Sequence, residues 1–206
     1  MIEFFTALVI AFGFIFVMEL GDKTQLIILT LATKKHSPRM LAFGAVVGFA
    51  VIVFFGGIIA LLISNFIPLD WITLGSSIAF LVLGGYQLIQ WFRENAHRKD
   101  DVEDIENIEE SGQKYEKTKY SFLAGMLAII TMELGDKTQV ATILLASTSA
   151  SFIGTLIGSW LALCSLAIIG AFAGKWISKK IPKKWMDMVA ALLFIIIGII
   201  IIISII

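Results

Sequence analysis

The chain has 206 residues, of which 58% are hydrophobic and 16% are charged, and its 16 basic and 16 acidic side chains give a formal net charge of zero. This composition excludes a soluble globular enzyme, a disordered chain and a nucleic-acid-binding protein with a basic surface. The single cysteine, Cys164, excludes a disulfide scaffold and a cysteine-built metal site. What remains is a small multi-pass membrane protein.

Taken in chain order, the apolar runs predict six transmembrane helices, since about 20 apolar residues build one span. We expect an all-α integral membrane protein with helices at about 4–32, 40–63, 70–92, 120–146, 152–174 and 185–206. The first and fourth helices each carry one short charged motif at their centres. A small polar cluster at 147–151 predicts the turn between the fourth and fifth helices.

The loops between these helices predict the orientation. Fourteen of the 16 Lys and Arg residues lie in the loops that follow the first, third and fifth helices. Because basic loops stay in the cytoplasm, we expect these three loops to be cytoplasmic and both termini to lie outside. The third-to-fourth loop, 93–119, holds nine acidic and six basic side chains. We interpret it as a solvated linker; a cation-gathering or regulatory loop is the alternative.

An internal repeat divides the chain into two halves, 1–92 and 120–206. The sequence MELGDKTQ at 18–25 recurs at 132–139, and the Ile-Pro-x-x-Trp sequence at 67–71 recurs at 181–185, both at an offset of 114. Three helices in each half is an odd number, so the second half would enter the membrane from the opposite side. Such inverted-topology repeats are typical of secondary transporters, whose sites lie near the bilayer midplane. A duplicated scaffold without a transport role is the alternative.

The acidic residues of the repeated motif are the candidate metal ligands. Charged groups at the centre of a span are costly and mark functional sites. Two acids three residues apart share one face of a continuous helix, and the intervening glycines allow close helix approach or a local break. Carboxylates with neutral oxygens suit Ca²⁺, Mg²⁺ or Mn²⁺. The candidate ligands are Glu19, Asp22, Glu133 and Asp136, with Thr24, Gln25, Thr138 and Gln139 as auxiliary ligands.

Each motif also contains a counter-charge and a methionine. Lys23 and Lys137 follow the glutamates by four residues, so the motif could instead be two structural ion pairs. Those pairs would leave two carboxylates unneutralised, a charge that one divalent cation or two protons would balance. We therefore expect exchange of a divalent cation for protons. Met18 and Met132 could add soft ligands favouring Mn²⁺, or be packing residues.

The doubled Glu-Leu-Gly-Asp-Lys-Thr sequence resembles the E-x-G-D-[KR]-[ST] signature of the Gdt family, the transmembrane protein 165 type of cation/proton antiporters. The resemblance covers nearly the whole chain. It implies a transporter of Mn²⁺ or Ca²⁺ with the four motif acids as the cation site. It also implies the short prokaryotic form, located in a plasma membrane and exporting the cation from the cytoplasm.

The functional prediction is a secondary transporter and not an enzyme. The alternative is a divalent-cation channel that uses the same acids. An intramembrane metalloenzyme is disfavoured because we find no additional nucleophile or general base beside the motif. We expect no resident cofactor, and the partners predicted are the lipid bilayer, the divalent cation and protons, without nucleic acid. His36 and His97 fall in predicted loops and are not expected to bind the metal.

Overall fold

The computed structural model describes residues 1–20, 22–34, 37–96, 115, 118–180 and 183–203. Every secondary-structure element in this part of the chain is an α-helix, as the composition predicts. The helices are α1 (Ile2–Glu19), α2 (Lys23–Lys34), α3 (Pro38–Phe66), α4 (Leu69–Ala96), α5 (Ser121–Glu133), α6 (Lys137–Thr148), α7 (Phe152–Lys180) and α8 (Lys183–Ile203).

The helices fit a membrane protein. Four segments are long and apolar enough to cross a bilayer: Ile2–Glu19, Pro38–Phe66, Leu69–Arg93 and Phe152–Phe172. Ser121–Glu133 and Met188–Ile203 are shorter apolar helices. The predicted turn at 147–151 is confirmed, because α6 ends at Thr148 and α7 begins at Phe152. The arrangement of six spans as inverted repeats stays a prediction.

The structure differs from the prediction at the first and fourth helices. Each was expected to be continuous, over 4–32 and 120–146. Instead, α1 stops at Glu19 and α2 starts at Lys23, while α5 stops at Glu133 and α6 starts at Lys137. The charged motif therefore interrupts the helix in both halves, at the same point of the repeat.

The helices of each half pack mainly on helices of the other half, an arrangement that we call exchanged packing. Helix α1 packs mainly on α7, α3 on α5, and α4 on α8, so each of these pairs joins one half to the other. Glycines permit the close approach. A Cβ atom at Gly44 of α3 would collide with the carbonyl oxygen of Phe122, and one at Gly158 of α7 would collide with that of Leu8.

An aromatic cluster lies in the core where α1 meets the α4–α8 pair. The ring centroids of Phe14 lie 6.0 Å from Phe80 and 5.4 Å from Phe194, and those of Phe80 and Phe194 are 5.7 Å apart. All three side chains are buried. Phe80 and Phe194 are equivalent in the 114-residue repeat, whereas the equivalent of Phe14 is Ala128. The cluster is therefore asymmetric within a duplicated fold.

Most of the predicted acidic linker lies outside the described residues, and so do His36 and His97. Tyr115, near the linker's end, is described and buried, and its hydroxyl group hydrogen-bonds with that of Thr131 on α5.

Candidate functional site

The two helix breaks create the candidate site. Leu134 has extended backbone angles, with φ −67° and ψ 111°, and Asp136 is also extended at φ −77° and ψ 167°. Between them, Gly135 has φ +83°, a conformation that a Cβ atom disfavours. The Asp136 amide donates to the Glu133 carbonyl oxygen at 3.2 Å, which closes a tight turn. The sequence suggested such a break as one of two roles for the glycine.

The first motif turns in a similar way. The Asp22 amide donates to the Glu19 carbonyl oxygen at 3.1 Å, and Leu20 is extended at φ −61° and ψ 115°. The expectation that Glu19 and Asp22 share one face of a continuous helix is therefore wrong, because the helical repeat does not continue from one to the other. The same correction applies to Glu133 and Asp136.

Each motif threonine donates a hydrogen bond to the glutamate of the other motif. The Thr24 hydroxyl donates to Glu133 Oε1 at 2.6 Å. The Thr138 hydroxyl donates to Glu19 Oε1. All four side chains are buried, and both glutamates are at most 3% exposed. The breaks make these contacts possible, since Thr24 would point away from the acid face of a straight helix. The two motifs thus form one connected cluster of side chains, which is the candidate site.

Three of the four predicted acids converge. One carboxylate oxygen from each of Glu19, Glu133 and Asp136 lies within 4.8 Å of the others. Glu19 and Glu133 are buried and Asp136 is partly buried, and carboxylates placed this way are costly unless a positive charge or protons neutralise them. Oxygen donors at this spacing match the chemistry of a hard divalent cation.

The fourth acid, Asp22, lies beside a lysine from the other motif. Lys137 Nζ is 3.3 Å from Asp22 Oδ1, and both side chains are about one-fifth exposed. The alternative of a structural ion pair within the second motif, between Glu133 and Lys137, stays a prediction. The side chain of Lys23 lies outside the described part, so its predicted counter-charge role stays a prediction.

The glutamines contact the breaks. Gln25 Nε2 donates to the Glu19 carbonyl oxygen at 2.7 Å, where α1 ends. Gln139 Oε1 accepts from the Gly135 amide at 2.6 Å. Both side chains are buried, at 9% and 8% exposure. The glutamines thus brace the turns that carry the acids.

The methionines pack against apolar neighbours. Met18 is 3% exposed and belongs to the hydrophobic core, and Met132 is partly buried against the same core. This placement favours their interpretation as packing residues.

A small cavity of about 10 Å³ adjoins each motif. The first is bounded by Glu19, Thr24, Gln25 and Ile28, and the second by Glu133, Thr138, Gln139 and Thr142. Residues from α3 and α7 line both cavities, and Ile129 of α5 also lines the first. Thr142 was not singled out from the sequence. The signal that could have found it is a hydroxyl group at the position that is equivalent to the apolar Ile28 in the repeat.

The chain as a whole is similar to known proteins. The family model described as "Divalent cation/proton antiporter GDT1" matches residues 7–95 and 121–205. A GDT1-like protein of Synechocystis is 30% identical over 183 residues, covering 86% of this chain and 87% of that protein. No solved structure matches.

Two further relatives extend the comparison. A Vibrio cholerae protein named "Putative manganese exporter" is 29% identical, covering 85% of this chain and 80% of its own length. GDT1-like protein 3 of Arabidopsis thaliana is 29% identical, covering 92% of this chain and 68% of its own. Both matched segments of the family model contain one complete copy of the repeated motif.

Proposed function

The chain belongs to the GDT1 family of divalent cation/proton antiporters, and we propose that it is a secondary transporter that exports Mn²⁺, Ca²⁺ or both across a plasma membrane in exchange for protons. Membership in a transporter family supports cation transport rather than enzymatic catalysis. A relative named as a manganese exporter supports Mn²⁺ as a substrate and export as the direction.

The observation that carries this proposal is the convergence of three carboxylates from both motifs. Glu19, Glu133 and Asp136 would bind the cation directly, since their oxygens already lie within 4.8 Å of one another. Asp22 would join them when Lys137 releases it, which completes the predicted set of four acids. Thr24 and Thr138 hold the two glutamates in position through their crossed hydrogen bonds.

Proton exchange follows from the same arrangement. Three clustered carboxylates repel one another when all are ionised, so losing the cation favours binding of protons. Binding of the next cation would release those protons. One site then holds either the cation or protons, but not both, which is the requirement for antiport.

Alternating access is supported by the exchanged packing of the halves. Helices α1 and α5 contact α7 and α3 respectively, so corresponding elements make corresponding contacts across the site. Inverted repeats use such pseudo-symmetry to open one side and then the other. With the basic loops cytoplasmic, α1 and α7 would begin at the extracytoplasmic side, and α3 and α5 at the cytoplasmic side.

The experiment is metal flux in proteoliposomes under an imposed pH gradient, recorded with metal-sensitive and pH-sensitive dyes. We expect Mn²⁺ or Ca²⁺ movement that responds to the gradient and moves protons the opposite way. The double variant Asp22→Asn, Asp136→Asn should abolish flux, whereas Asp70→Asn, at the start of α4, should not. Metal flux that neither moves protons nor responds to the gradient would contradict antiport and indicate the channel alternative.

A further inference from the structure

A large cavity lies beyond the site, toward the proposed extracytoplasmic side. Its volume is about 510 Å³, and it lies between the first half of α1, the end of α6, the start of α7 and the second half of α8. Most of its lining is apolar, but Glu3, Thr6, Thr148, Ser149 and Thr155 contribute polar groups. Its deepest position on α1, Ala11, is eight residues before Glu19.

Two helices run from this large cavity to the small cavity beside Glu133. On α6, Thr148 and Leu145 line the large cavity, and Thr142, one turn deeper, lines the small one. On α7, Thr155 lines the large cavity, and Leu163 lines this small cavity as well as the one beside Glu19. Residues three or four apart lie on the same helix face, so each helix presents one face to both cavities.

Ser159 lies midway between Thr155 and Leu163 on that face of α7. It is fully buried, and its hydroxyl oxygen has no hydrogen-bond partner. Buried hydroxyl groups are normally paired, so this unpaired oxygen is available to a water molecule or a cation. Thr142, also buried at 2% exposure, supplies a second hydroxyl group at the end of the same route.

These hydroxyl groups have no counterparts in the other half. The 114-residue repeat places Ile28 opposite Thr142. On α3 and α7, the pair Gly44 and Gly48 aligns with the pair Gly154 and Gly158 at an offset of 110. This alignment makes Phe49 the equivalent of Ser159 and Ala45 the equivalent of Thr155. The route beside Glu133 therefore carries hydroxyl groups, whereas the equivalent positions in the first half are apolar.

The opposite wall of the large cavity ends in the aromatic cluster. Ala11 and Ile197 line the cavity, and Phe14 and Phe194 lie one turn deeper on the same helices. These packed rings close the α1–α8 side. The α6–α7 side is the one that carries hydroxyl groups toward Glu133.

We propose that the large cavity is the extracytoplasmic vestibule of the transport path, and that Ser159 and Thr142 guide the hydrated cation between it and the Glu133 side of the site. This proposal rests on the proposed transport function. It assigns positioning roles to two residues outside the repeated motif. The cation would exchange water for hydroxyl oxygens along α6 and α7 as the helices separate.

The first test removes each hydroxyl group without adding bulk. Ser159→Ala and Thr142→Val should each slow Mn²⁺ flux about tenfold, while equilibrium Mn²⁺ binding in detergent stays within twofold of the original chain. Ser76→Ala is the matched control, because Ser76 is another buried residue of the described part whose hydroxyl group has no partner, and it should leave flux unchanged. Unchanged flux in both route variants would overturn the proposal.

The second test asks whether water fills the cavity. In a Cys164→Ala background, which removes the single native cysteine, Thr148→Cys should react with a membrane-impermeant cationic thiol reagent added from outside. Ile78→Cys, half exposed on α4, is the control for a surface facing lipid and should react only with a lipophilic reagent.

The outcomes separate this proposal from the one on which it rests. If Thr148→Cys reacts only with the lipophilic reagent, the cavity holds lipid and the vestibule is refuted. If the unmodified chain moves no metal at all, the transport function itself fails, whatever the labelling shows.

Discussion

Gly135 provides a direct test of the helix break, because the broken and continuous helices predict opposite effects of one methyl group. A Cβ atom at Gly135 would meet nothing within 4 Å, so Gly135→Ala introduces no clash. The cost is conformational, because φ is +83°. An L-residue in the left-handed region costs about 1–2 kcal/mol.

Gly13 is the matched control, since it lies inside α1 and its added Cβ atom would also meet nothing within 4 Å. Alanine is favoured over glycine inside a helix by about 0.5–1 kcal/mol. For a chain of this length, 1 kcal/mol corresponds to about 2–4 °C in Tm. We therefore expect Gly135→Ala to lower the Tm by about 2–8 °C and Gly13→Ala to raise it by about 1–4 °C.

Thermal unfolding in detergent, followed by tryptophan fluorescence, measures both variants. A rise in Tm for Gly135→Ala similar to that for Gly13→Ala would mean that the helix continues through the motif. That result would refute the turn, and with it the crossed contacts of the two motifs. A fall for Gly135→Ala alone supports the broken helix.

Three more predictions concern the contacts around the site. Lys137→Gln removes the ion pair with Asp22 and a positive charge near the cation, so Mn²⁺ should bind about fivefold more tightly, roughly 1 kcal/mol, and should leave more slowly. Titration calorimetry measures the binding and the flux assay measures the release. Weaker binding of Mn²⁺ would contradict this prediction. Thr24→Val and Thr138→Val each remove a donor to a buried carboxylate and should each cost about 1.5–3 kcal/mol in unfolding free energy, whereas serine at either position should retain most of the stability. Gly44→Ala places a methyl group against a backbone carbonyl oxygen of α5 and should cost about 1–3 kcal/mol, seen as a lower Tm; an unchanged Tm would contradict the close packing of α3 and α5.

The sequence predicted the fold class and most helices because their signal is local. A long apolar run such as Pro38–Phe66 specifies a helix by composition alone, and the polar residues at 147–151 located a turn that the structure confirms. The breaks at Glu19 and Glu133 were harder to locate. A glycine within an apolar helix is compatible with close packing or with a turn, and only the surrounding structure decides between them.

The contacts of the site could not be predicted from spacing. Spacing within one helix suggests partners three or four residues away, such as Lys137 for Glu133. Two contacts of the site, Thr24 with Glu133 and Lys137 with Asp22, instead join residues from opposite halves of the chain. Which residues of the two halves meet depends on the packing of α1 on α7 and of α3 on α5. No short stretch of sequence contains that information.

The exchanged packing also has a consequence for biosynthesis. Within the first half, α2, α3 and α4 make few mutual contacts, and their main partners lie in the second half. The first helices to leave the ribosome must therefore remain in the bilayer without their partners until α5, α7 and α8 have been inserted. Assembly of the bundle is then a late, cooperative event, and a chain interrupted after α4 would lack the surfaces that hold it together.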